Sequence, residues 1–144
     1  MATISLFILI ALGLIAIIDI FTKKIPSVAL TSLIFIVFFA QITLTGDLMF
    51  LGFGVLSFIF AYLLYEFSFI GGIADIKVLT MIGLFLTNIA PFSIMVLLVM
   101  IIGIIYKLFF RFGLKYKDND EIPFIPALWI VYLILYLSPA VSLH

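Results

Sequence analysis

Ile94–Ile105 reads IMVLLVMIIGII, a run without one charged or polar side chain. Outward from it the apolar character continues back to Phe92 and on to Phe112, interrupted only by Ser93, Tyr106, Lys107 and Arg111. A helix needs roughly 20 apolar residues to cross the hydrocarbon of a bilayer, and this segment supplies them. Turn chemistry bounds it: Asn88-Ile89-Ala90-Pro91 before, and the polar run Lys115 to Pro123 after. Further breaks fall at Lys23-Lys24-Ile25-Pro26, at Thr45-Gly46-Asp47 and at Gly71-Gly72. They divide the chain into six segments: 2–20, 28–45, 48–68, 74–90, 92–112 and 123–141. A membrane barrel would instead show alternating segments of about ten residues. The pattern predicts an all-α fold, a polytopic membrane helix bundle of about six transmembrane helices, forming one domain over residues 1–144.

Composition agrees. Of the 144 residues, 67% are hydrophobic and 10% charged, against roughly 45–50% and about 25% in soluble domains. Lipid must be the solvent for most of this surface. The net charge is zero, so no basic field draws in nucleic acid. There is no cysteine, which removes disulfides, thiolate nucleophiles and cysteine-based zinc sites. One histidine, His144, leaves neither a Ser-His-Asp triad nor a multi-histidine metal site. No metal or cofactor is expected. The N-terminus lacks a positive stretch before its apolar run and an A-x-A site after it, so residues 2–18 read as a first span rather than a cleaved signal.

With six crossings the loops alternate sides. Lys23 and Lys24 lie in the first loop, Lys77 beside the third, and Arg111, Lys115 and Lys117 in the fifth, with Lys107 near the end of the fifth span on that side. The second and fourth loops carry no basic residue. The positive-inside rule makes the basic face cytoplasmic and puts both termini outside.

Ionisable side chains at the edge of a span are costly and call for a reason. Four acids qualify: Asp19, Asp47, Glu66 and Asp75. Asp47 sits in a tight turn with Gly46, which accounts for it. Glu66 reads as an interfacial acid that snorkels. Asp19 closes the first span and Asp75 opens the fourth, so both fall at one depth near the cytoplasmic interface. Each has an ordinary reading: Asp19 pairing with Lys23 one turn on, Asp75 capping its own helix. Together they are the minimum equipment of aspartyl hydrolysis, in which one carboxylate takes a proton from water and the other donates to the substrate carbonyl. The helix dipole would leave the charge on Asp75, at a helix N-terminus, and the proton on Asp19, at a C-terminus; Lys23 works the other way.

Three segments carry a resemblance. They are Asp19-Ile-Phe-Thr-Lys-Lys-Ile-Pro26-Ser27, then Gly72-Ile-Ala74-Asp75-Ile-Lys77, then Ile122-Pro-Phe-Ile-Pro126. In order, spacing and inferred topology the chain resembles the type IV prepilin peptidase family, which includes the archaeal preflagellin peptidases. That family has an aspartate ending its first helix, a basic stretch and Ile-Pro-Asn, a second aspartate in Gly-x-Gly-Asp-x-Lys, and a late Pro-Phe-x-Pro. Ser27 stands here for the Asn, and Ala74 for the second motif glycine. The resemblance implies an aspartic endopeptidase with Asp19 and Asp75 as catalytic residues, and with Gly72, Ala74, Lys77 and Pro26 around the substrate. It implies a pilin-like or flagellin-like precursor as partner, cut between a short basic leader and a hydrophobic helix at the cytoplasmic membrane face. The cysteine-rich segment of the longer, methylating members has no counterpart here, which implies a peptidase-only form. Asp118, Asp120 and Glu121 are suited to attract a basic leader, although a solvated loop is the plainer reading. The alternatives are an inactive homologue serving as an assembly scaffold, a presenilin-like protease, and a proton-coupled carrier. A carrier would carry its acids near the midplane, in repeated halves.

Overall fold

The computed structural model describes residues 2–22, 24–25, 27–46, 48–115, 117 and 122–138. Pro26, Asp118, Asp120 and Glu121 among the expected substrate-binding residues lie outside the described residues, as do Lys23 and Asp47. Among the described residues there are six α-helices and no strand: α1 (Ala2–Thr22), α2 (Ser27–Thr45), α3 (Met49–Glu66), α4 (Ile73–Gly83), α5 (Ile89–Leu108) and α6 (Ile125–Leu137). A π turn at Phe109–Gly113 continues α5. Among the described residues, four stretches are long and apolar enough to cross a membrane: Thr3–Thr22, Ser27–Thr45, Met49–Glu66 and Ile89–Gly113.

Local chemistry sets the ends. Gly46 closes α2 in the left-handed conformation, φ +61°, with its N–H on the Ile42 carbonyl. The Asn88 side chain caps α5 by accepting from the Ala90 N–H, and Pro91 follows in the first turn. Pro126 occupies the first turn of α6, where a missing N–H is harmless.

The fourth segment departs from the expected 74–90. Helix α4 has 11 residues, a length of about 16 Å against a hydrocarbon core of about 30 Å. The sequence Leu84-Phe85-Leu86 is apolar enough to prolong it, but packing stops it. Gly83 lies against Ser57 and the Phe53 carbonyl of α3, the next three residues form tight turns, and Asn88 is taken up as the cap of α5. Leu84, Phe85 and Leu86 are buried in protein, the one setting in which irregular backbone is tolerated at membrane depth.

Helices α3 and α4 form a tight hairpin, and α4 also meets α2 and α6; α6 lies between α1, α4 and α5. The inward stripe of α1 is Ser5, Ile8, Leu12, Ile15, Ala16 and Asp19, repeating every three or four residues. Its outward face, Leu6, Phe7, Ile10, Leu14 and Ile17, is apolar too, which is what a lipid solvent asks of a helix. Trp129 Nε1 donates to the Leu9 carbonyl at 3.0 Å and the Tyr132 hydroxyl to the Ser5 carbonyl at 3.3 Å, fixing α6 in rotation and height on α1. The far end of the bundle is closed by Phe53 against Phe92. The end near Asp19 and Asp75 holds the described basic residues: Lys77 meets Ser27, Lys107 meets Ser68, and Lys24, Arg111, Lys115 and Lys117 follow the helices that finish there.

Candidate active site

Asp19 is the last residue of the inward α1 stripe, in the final turn of that helix, and is only 7% exposed. Its Oδ2 accepts the N–H of Ile125, the first residue of α6, at 3.3 Å. Such first-turn N–H groups have no partner inside their own helix, and they favour an anion.

Asp75 is the third residue of α4 and 6% exposed. Its Oδ2 accepts N–H groups from Gly71 at 3.1 Å and Gly72 at 3.2 Å, so the side chain reaches back over the start of its own helix. This is the return half of a capping box, with glycine in place of the usual hydroxyl residue. The capping reading of Asp75 is thus realised in the geometry. It does not account for the second carboxylate alongside.

Asp19 and Asp75 line one cavity of about 100 Å³, walled further by Gly71, Gly72, Ala74 and the backbone stretch 122–125. That is room for a few water molecules or a peptide carbonyl. A larger apolar groove of about 520 Å³, between Gly13 and Ala16 of α1 and Trp129 of α6, opens on the outer face instead and offers no acid or base.

The expected site residues divide. Gly72 and Ala74 line the cavity. Gly72 is extended, φ −165°, and a Cβ built there meets nothing nearer than the Ala74 nitrogen at 4.0 Å. Neither backbone conformation nor internal packing therefore demands that glycine. Lys77 faces away: its ammonium donates to the Ser27 carbonyl and hydroxyl and, at 2.8 Å, to the Thr31 hydroxyl, tying α4 to α2. The phase of a helix explains this, because residues two apart point to different sides. Glu66 is exposed, with its carboxylate accepting a hydrogen bond from the Tyr62 hydroxyl, and is not among the residues lining the cavity.

Two contributions escape a reading of the acids alone. The Ile122–Ile125 stretch supplies both a wall and the donor to Asp19. Lys107, in the last turn of α5, interacts electrostatically with Asp75, and its ammonium donates to the Ser68 carbonyl at 2.9 Å. A lysine in so apolar a helix was a signal in its own right.

Two N–H donors reach Asp75 and one reaches Asp19. Among the described residues no group of three or more histidine, cysteine, aspartate or glutamate side chains is gathered for a metal ion. Two buried carboxylates lining one cavity with space for water can accept one proton and donate another. No family profile, curated protein or solved structure matches the chain.

Proposed function

We propose that the chain is a membrane aspartic endopeptidase of the prepilin-peptidase type, cutting the basic leader from pilin-like or flagellin-like precursors. One observation carries the reading: Asp19 and Asp75, on helices far apart in sequence, line a single water-sized cavity at the end of the bundle where the basic residues gather. In this reading the pair shares one proton. The ionised member takes a proton from water, which attacks the scissile carbonyl; the protonated member donates to the carbonyl oxygen, giving a tetrahedral intermediate. The proton then passes to the departing amine. Gly72, free of any packing demand of its own, leaves room for a substrate backbone, and the substrate's hydrophobic helix lies in lipid beside the bundle.

The topology belongs to the same proposal. Helix α4 and the five residues 84–88 together reach at most about 30 Å, enough for one crossing. Six crossings then leave the basic end cytoplasmic and both termini outside. The chain has no cysteine, so single introduced thiols report cleanly. Cysteines at the exposed Leu114 and Leu48 are expected to react with an impermeant maleimide from opposite sides of oriented vesicles. Reaction of both from one side would remove this topology.

The activity is tested by co-expression with a panel of leader-bearing pilin-like precursors, with Asp75→Asn as control. The expected result is a size shift of at least one precursor that the control abolishes. A panel left intact by the wild type, or cut equally by the control, rejects the peptidase.

A further inference from the structure

The segment between α3 and α4, residues 67–72, ends in the two N–H groups that Asp75 accepts. It begins with backbone that serine adopts reluctantly: Ser68 has φ 54°, in the left-handed region. Part of the hold is local, the α3 C-cap bonds from the Ser68 N–H to the Tyr65 carbonyl at 2.9 Å and from the Phe69 N–H to the Leu64 carbonyl at 2.8 Å. Lys107 of α5 donates to the Ser68 carbonyl at 2.9 Å, and its ammonium stands 5.0 Å from the centre of the Phe69 ring. Phe69 in turn meets Phe124 edge to face at 5.9 Å. Gly103, one turn before Lys107, lets both rings close in: a Cβ built there would lie 2.7 Å from the Phe69 ring and 2.9 Å from that of Phe124. Two walls of the acid cavity, the 71–72 backbone and the 122–125 stretch, therefore converge on one turn of α5. The ammonium lies at the end of the bundle where the described basic residues gather, so its position there is ordinary; what singles it out is the pair of contacts it makes, to the Ser68 carbonyl and over the Phe69 ring.

We infer that Lys107 is a positioning residue for the acid pair: it clamps the 67–72 segment through Ser68 and Phe69 and so keeps the Gly71 and Gly72 N–H groups on Asp75. The clamp is geometry; its bearing on catalysis rests on the peptidase reading. Lys107→Met keeps length and loses donor and charge, while Lys107→Arg keeps both. Hydrogen exchange in the full chain in nanodiscs reads the clamp. In Lys107→Met the Gly71 and Gly72 amides are expected to exchange about tenfold faster, the worth of a hydrogen bond and a cation–π contact together. Amides in the middle of α3 stay protected, and Lys107→Arg restores the wild-type rates. On a cleavable precursor kcat is expected to fall by a similar factor, with KM little changed. Unchanged exchange at Gly71 and Gly72 overturns the clamp. Faster exchange with an unchanged kcat overturns its role in catalysis. Should Lys107→Met lose protection throughout, Phe69→Leu, which removes the ring that lies between the ammonium and Phe124, decides on the same two amides: faster exchange supports the clamp and unchanged exchange overturns it. If the wild type cuts no precursor, the peptidase fails while the exchange result still stands or falls alone.

Discussion

Under the peptidase reading, Asp19→Asn and Asp75→Asn are each expected to lower kcat for precursor cleavage by about 10²–10⁴-fold, the usual worth of a positioned proton-transfer group. The double variant is expected to be hardly slower than either single one, because members of a catalytic unit do not contribute additively. Asparagine separates chemistry from architecture here. It has the shape of aspartate, its carbonyl still accepts the Ile125 N–H at position 19 or the Gly71 and Gly72 N–H groups at position 75, and it is itself a good capping residue. It cannot exchange protons. If the two acids were only helix caps, the variants would keep most of their activity. Purified variants in lipid therefore need two measurements, single-turnover cleavage and thermal melting. The expected pattern is lost cleavage with melting close to wild type. Activity above about a tenth of wild type in either variant, far more than loss of a proton-transfer group allows, sinks the catalytic pair.

The largest expected effect on stability comes from Gly83→Ala. Helices α3 and α4 are in tight contact at that residue, where an added Cβ would overlap the Ser57 side chain and come within 2.8 Å of the Phe53 carbonyl oxygen. A backbone oxygen and a Cβ cannot swing aside as the tip of a long side chain can, so α4 must move off α3. Overpacking of this kind costs about 1–3 kcal/mol, and Gly83→Val should cost more. The displacement is expected to be carried along α4 to Asp75, so under the peptidase reading activity should fall with stability. Ser57→Gly removes the side chain that the new methyl meets and should restore part of the melting temperature of Gly83→Ala. Ser57→Ala should restore little, because the Cβ remains. Melting of Gly83→Ala indistinguishable from wild type would show that the hairpin has slack that its geometry denies.

Much of the architecture could be read from residue order because a bilayer imposes simple demands. Long apolar runs such as Ile94–Ile105 lie within helices, and the breaks at Thr45-Gly46 and Asn88–Pro91 fall where helices end or begin. The end of α4 could not be read in this way. Leu84-Phe85-Leu86 satisfies every local rule for continuing the helix, and what stops it is contact with α3, a tertiary matter. The acids stood out because carboxylates at the edges of spans are rare. Their donors did not: the Ile125 N–H lies 106 residues from Asp19 and is anonymous backbone. For the lysines the difference is one of direction. Lys77 adjoins Asp75 in sequence and turns to α2, whereas Lys107 is remote in sequence and reaches the segment before Asp75. Lys77 was expected around the substrate and helix phase turns it away, while Lys107 stood out as a lysine in an apolar helix although nothing local named the segment it reaches.

Asp19 belongs to α1, its N–H donor to the start of α6, and Asp75 to the helix between them. A ribosome delivers these elements in chain order. The first acid therefore waits 56 residues for its companion Asp75 and 106 residues for its donor, the Ile125 N–H. In a nascent chain the cavity does not yet exist. It closes when α6 docks and Trp129 and Tyr132 take hold of the Leu9 and Ser5 carbonyls. Under the peptidase reading a half-made enzyme is silent: precursors inserted beside it are safe from premature cutting, and competence begins with the arrival of α6.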